Sequence, residues 1–143
     1  METLQRLSRR QVDALRVVRR SQRTDRGASL AEIARALGVR PPSALDHLTA
    51  LETMGLVERR RGKSRVTRKG EACLAEYQRH HRVAETVFQR LGLPASETCS
   101  AAREIDLALS HHTVEQLCEA GGHPSECPHG APIADCGPAR GRR

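Results

Sequence analysis

The chain is almost without aromatic side chains, with one Tyr, one Phe and no Trp in 143 residues. Recognition of unpaired bases relies on aromatic stacking platforms, so this scarcity excludes single-strand and RNA-recognition modules. Lysine is nearly missing too: only Lys63 and Lys69 stand beside the arginines in a chain of net charge +7. An arginine bias can reflect a GC-rich genome as easily as a function, so its distribution matters more than its total. No apolar stretch approaches the length of a membrane span, and the opening METLQRLSRR lacks the apolar run of a signal peptide. A cytoplasmic protein with no membrane partner is expected. No Gly-rich phosphate loop, nucleophile elbow or H-E-x-x-H is present, so no enzyme is expected either.

The charge that is there is segregated. Residues 1–70 carry 17 Lys+Arg against 7 Asp+Glu, and residues 71–143 carry 7 against 10, so the halves differ in sign. This suits a duplex-binding module joined to a module of another kind. Five cysteines are an odd number without an export signal, which points to thiols or metal ligands rather than a disulfide framework.

Ser8 and Gln11 form a capping box, and Val12, Leu15 and Val18 follow at helical spacing to about Ser21 before SQRTDRG breaks the pattern. Ser29 and Glu32 open a second helix with Leu30, Ile33, Ala34 and Leu37 on one face, closed by Gly38. Pro41 and Pro42 begin a third, with Leu45, Leu48, Leu51 and Met54 as its apolar positions. The run ERRRGKSRVT, centred on Gly62, reads as a hairpin with a basic tip. Thr67 caps a long helix in which Leu74, Tyr77, His81, Ala84, Phe88 and Leu91 recur at 3.5-residue spacing. Further helices are expected from Ser96 to about Leu109 and from Ser110 through Cys118.

The fold class predicted is mainly α: a winged helix-turn-helix over residues 1–70, a helical dimerisation domain over 71–120, and an irregular Cys/Gly/Pro-rich segment over 121–143. In such a fold the second helix of the helix-turn-helix enters the major groove and the wing reaches the backbone. Arg40, Ser43, Asp46 and His47 lie on its leading turns. Arg40 suits guanine or phosphate, Ser43 a phosphate or base edge, and Asp46 a donor such as cytosine N4. Arg59, Arg60, Arg61, Lys63 and Arg65 of the wing suit phosphates.

The segments SLAEIARALGVRPPSALDHLTALETMGLVE, RHHRVAETVFQRLGLP and CPHGAPI resemble the DtxR/MntR family of metal-dependent transcriptional repressors over about residues 8–133. The resemblance implies a homodimer on a double-stranded, palindromic DNA operator, with metal controlling operator affinity. Longer members carry a third, SH3-like domain, and this chain resembles the shorter ones. The family's His and acidic ligands match His81 and Glu85; Cys99 falls where the family places a His, and Asp106 where it uses Glu. A four-ligand site of His81, Glu85, Cys99 and Asp106 is therefore implied. Arg103 and Leu107 stand where the family has ligands, and Asp13 is the nearest residue to its first-helix ligand. An alternative is that Arg103 takes the cation's place against Asp106 or Glu85.

The segment CEAGGHPSECPHGAPIADC offers a possible second metal or redox site from Cys118, His123, Cys127, His129 and Cys136. Cys73 reads as a small packing residue. Function is expected to be metal-responsive transcriptional repression of metal-homeostasis genes, with Mn or Fe as the favoured divalent metal and Zn, Ni or an iron–sulfur cluster as others. Redox or cluster sensing through the C-terminal cysteines is the first alternative, and metal storage or delivery is the second.

Overall fold

The computed structural model describes residues 3–22 and 26–135. The chain divides into two compact units, one of Arg6–Ala75 and one of Met1–Gln5 with Glu76–Arg143.

In the first unit, α1 (Arg9–Ser21), α2 (Leu30–Leu37) and α3 (Pro41–Thr53) pack beside a small sheet. Ser8 and Ser29 each accept from the backbone N–H three residues on, while Gln11 and Glu32 reach back to the cap N–H, so both expected capping boxes form. Gly38 ends α2 with φ 64°, a conformation that favours glycine. Arg40 leads into α3 without a side-chain cap, and the prolines occupy its first positions, where no N–H is needed.

The sheet has three strands in the order β1-β3-β2, formed by β1 (Ala28–Ser29), β2 (Val57–Arg60) and β3 (Lys63–Val66). β2 and β3 make the wing, with Arg60 opposite Lys63 across a two-residue turn in which Arg61 (φ 50°) and Gly62 (φ 73°) are both left-handed. Two such residues match the twist of a tight hairpin. β1 is absent from the sequence reading, because two residues carry no periodicity; it pairs Ala28 with Ser64 and Ser29 with Lys63.

The apolar face of α3 also differs from expectation. Ala44, Leu48 and Leu51 are buried, whereas Leu45 is 39% exposed and Met54 is partly exposed. A spacing of three drifts around a 3.6-residue helix, while 44, 48 and 51 keep to one face.

The second unit holds most of α4 (Arg68–Arg90), with α5 (Ala95–Ile105) and α6 (His111–Ala120). α5 stops short of the expected Leu109, and Ser110 caps α6 by accepting from the Thr113 N–H. Along α4 the buried set is broader than a stripe, including Tyr77, His80, Val83, Ala84, Glu85 and Thr86, while Leu91 lies beyond its end and is exposed. Val83, Val114, Cys118, Cys127 and Ile133 form an apolar core.

Residues 121–135 contain only an isolated bridge between Glu126 and Pro132. They are held by arginines of α4: Arg79 donates to the Ala134 carbonyl, Arg82 to that of Pro132 and Arg90 to that of Gly121. Among the described residues no helix is long and apolar enough to cross a membrane.

Candidate metal centre and DNA-reading face

On the winged-helix unit, Arg40, Ser43 and Asp46 are exposed and His47 is partly exposed, so the leading turns of α3 present the expected polar groups. Leu45 stands among them, a position the sequence reading assigned to the core. An exposed aliphatic group on such a helix suits the methyl group of thymine. On the wing, Arg60, Arg61, Lys63 and Arg65 are exposed, and Arg60, Lys63 and Arg65 line a shallow depression with Glu58. Arg59 is engaged differently: its Nε and second guanidinium nitrogen reach Glu52 Oε2 at 2.8 and 2.7 Å. It thereby ties β2 to α3.

In the second unit, His81 and Glu85 project from α4 one turn apart and meet Cys99 of α5. His81 Nε2 lies 3.4 Å from Cys99 Sγ and 3.8 Å from Glu85 Oε1. Its other nitrogen, Nδ1, is 2.9 Å from Oδ2 of the fully buried Asp106. With Nδ1 as the donor to the carboxylate, the Nε2 lone pair faces Cys99 and Glu85. Imidazoles that bind metals are held in this way by a carboxylate behind the ring. Asp106, expected as a fourth ligand beside Cys99, instead meets the His81 ring at Nδ1, on the side away from Cys99.

Glu85 belongs to a second grouping as well. The same Oε1 is 3.1 Å from His129 Nδ1, and Cys127, His129 and Glu85 bring one ligand atom each within 4.8 Å of one another. Cys127 is buried and His129 exposed, both delivered by the C-terminal segment that the arginines of α4 hold. Cys118 shares the apolar core with Cys127, and its Sγ lies 3.8 Å from His123 Nδ1. Cys136 lies outside the described residues. Arg103 is partly buried one turn beyond Cys99 on α5, and Asp13 is on α1 of the other unit.

The donors fit a divalent transition metal. Bonds of about 2.0–2.3 Å to nitrogen, oxygen and sulfur place tetrahedral ligands roughly 3.3–3.7 Å apart, close to the separations around His81. The buried Glu85 carboxylate lies between the His81 and His129 imidazoles, a mixed oxygen and nitrogen donor set.

Residues 67–135 match the family described as iron dependent repressor, metal binding and dimerisation domain. Residues 4–66 match the LexA DNA binding domain. No curated protein matches the chain. Among solved structures, the hypothetical protein SSo2273 from Sulfolobus solfataricus is 28% identical with a TM-score of 0.85, covering 90% of this chain and 99% of that one. IdeR of T. acidophilum is 29% identical with a TM-score of 0.67, covering 90% of this chain. A manganese-dependent transcriptional repressor in complex with manganese is 27% identical with a TM-score of 0.71, covering 92% of this chain. The chain spans 60% of the length of each of these last two. The chain thus joins a winged-helix segment that matches a LexA-type DNA-binding domain to a segment that matches the metal-binding and dimerisation domain of iron-dependent repressors, an arrangement similar to that of solved metal-dependent repressors.

Proposed function

We propose that the protein is a metal-responsive repressor that binds a palindromic duplex operator as a homodimer in the cytoplasm and controls metal-homeostasis genes. The observation that carries this reading is Glu85, nearly buried and shared by the His81–Cys99 and Cys127–His129 donor groups in a domain joined to a winged helix. His81, Glu85, Cys99, Cys127 and His129 hold the metal, and Asp106 fixes the His81 ring. Bound metal supplies a positive charge that binds thiolate, imidazole and carboxylate together. Thiolates in the donor set rank Fe and Zn above Mn.

Arg40, Ser43, Leu45, Asp46 and His47 read base edges and nearby phosphates, while Arg60, Arg61, Lys63 and Arg65 carry phosphate charge. Arg59 sets the wing against α3 through Glu52. Both donor groups around Glu85 mix one cysteine with histidine and carboxylate, a set that suits a mononuclear metal better than the cysteine ligation of an iron–sulfur cluster.

Selection of duplexes from a random pool, anaerobically and with Fe(II), Zn(II) or Mn(II) present, tests this directly. Expected is a palindromic sequence whose affinity rises at least about tenfold with metal, a coupling of 1.4 kcal/mol, and loses that rise in Glu85→Gln. Equal operator affinity with and without every metal overturns the reading.

A further inference from the structure

A third group of ligand-type side chains lies on α4 outside the metal centre described above. Glu76 and His80 are one turn apart, and His111, the first residue of α6, stacks on His80 with ring centroids 6.1 Å apart and an interplanar angle of 27°. One ligand atom from each falls within 4.8 Å of the others. We propose that Glu76, His80 and His111 form a separate, thiolate-free site for a divalent transition metal of the zinc class.

His80 is 0% exposed, and an imidazole taken wholly out of water has to be matched by polar or charged groups. The groups beside it include a carboxylate and a second imidazole, the oxygen and nitrogen donors that zinc, cobalt and nickel take. His80 Nε2 is 3.7 Å from Glu76 Oε1, too long for a hydrogen bond and near the edge of a tetrahedron of nitrogen and oxygen ligands. Glu115, one turn further along α6, has Oε1 3.1 Å from His111 Nε2 and holds that ring from the solvent side. With the side chain of Glu76 27% exposed and that of His111 47% exposed, an ion can enter from solvent while its innermost ligand is fixed in the core.

This group is distinct from the one around Glu85. His80 and His81 are consecutive on a helix, so their side chains leave it about 100° apart and serve different faces. The donor chemistry differs too, since both groups around Glu85 contain a cysteine and this one contains none.

That difference makes the site testable with Co(II) as the probe. The full chain, stripped of metal and carrying His81→Ala, Glu85→Gln, Cys99→Ser and Cys127→Ser, is titrated with Co(II) and followed by absorbance. Expected is one Co(II) per chain with visible d–d bands and no thiolate-to-cobalt charge-transfer band in the near ultraviolet. Adding His111→Ala, an exposed position, or Glu76→Gln lowers the affinity at least about tenfold with circular dichroism unchanged. The same two substitutions in the otherwise wild-type chain leave the thiolate charge-transfer band intact. A folded quadruple variant that binds no Co(II), or binds it equally well with His111→Ala and with Glu76→Gln, overturns the site. Should the quadruple variant fail to fold, titration of the wild-type chain decides instead: loss of a thiolate-free equivalent in His111→Ala supports the site, and unchanged stoichiometry and affinity overturn it. Failure of operator activation leaves these outcomes unaffected, so this site and the proposed repressor function fail separately.

Discussion

At Gly70 an added methyl group would sit 2.2 Å from the Leu56 carbonyl oxygen and 2.6 Å from Val66 Cγ1, where α4 starts against the wing. Gly70→Ala is therefore expected to cost about 1–3 kcal/mol, read as a lower midpoint in urea unfolding. Gly62 at the wing tip has open space around it and only its φ of 73° to defend, so Gly62→Ala should cost about 1 kcal/mol. An equal loss for the two would show that close approach is not what requires glycine at 70. At Glu32 the Ser29 backbone N–H, then the Ser29 hydroxyl, with Lys63 and Arg35 beyond, hold the carboxyl below its ordinary 4.5. A group whose folded pKa is depressed stabilises above its unfolded value and loses that contribution as pH falls through the folded one. Unfolding midpoints measured from about pH 6 down to pH 3 should decline less steeply in Glu32→Gln than in the wild type. At Asp106, substitution by Ala frees the His81 ring and should weaken metal binding about 10–100-fold with the ligands intact. Metal affinity unchanged in Asp106→Ala would remove it from the site.

The wing shows how alike cations become unlike once folded. Five basic residues in Arg59–Arg65 read as one patch, and all five are exposed, yet the guanidinium of Arg59 is paired with Glu52 of α3. Arg61→Ala should lower the slope of log affinity against log salt by about one for any duplex sequence. Arg59→Ala should instead loosen the wing and alter affinity with a smaller change of slope; identical slopes for the two variants would argue against the distinction. No spacing rule links positions 52 and 59, because the pairing follows from how β2 returns past α3. The capping boxes, the terminating Gly38 and the start of α6 at Ser110 were legible, since each is a local bond between residues three or four apart. The strand Ala28–Ser29 was not, because its partner lies some 35 residues on and only pairing defines it. Leu45 was misplaced because leucine at intervals of three reads as a stripe, while the buried Ala44 gives a weaker signal than the exposed Leu45.

Across the molecule, the split of charge in the sequence corresponds to two units that differ in the work their arginines do. In the winged-helix unit most basic side chains of the wing are exposed, whereas in the other unit Arg79, Arg82 and Arg90 hold backbone carbonyls of a segment with almost no regular structure. Metal should stabilise the whole chain by mass action, by about 2.7 kcal/mol at a hundredfold excess over the dissociation constant. Thermal unfolding with Zn(II) should show this rise in the wild type, a smaller one in Glu85→Gln, and a smaller one still when His111→Ala is added; a rise in Glu85→Gln equal to that of the wild type would place the ligands away from Glu85. The resemblance pointed to His81, Glu85 and Cys99, which the fold brings together, but the second grouping on Glu85 was not legible in the sequence. Cys127 and Cys118 share one apolar core, yet only Cys127 is grouped with Glu85 and His129, and this depends on where a Gly- and Pro-rich segment comes to rest.

That Glu85 serves both donor groups has a consequence for how such a regulator can change over generations. A lineage that loses Cys99 keeps the carboxylate with Cys127 and His129, and one that loses Cys127 keeps it with His81 and Cys99. Either would keep a mixed donor group of altered composition, and under the proposed function could favour a different metal. Replacement at position 85 removes a ligand from both groups in a single step, so that codon, more than any cysteine or histidine around it, should tolerate the least variation.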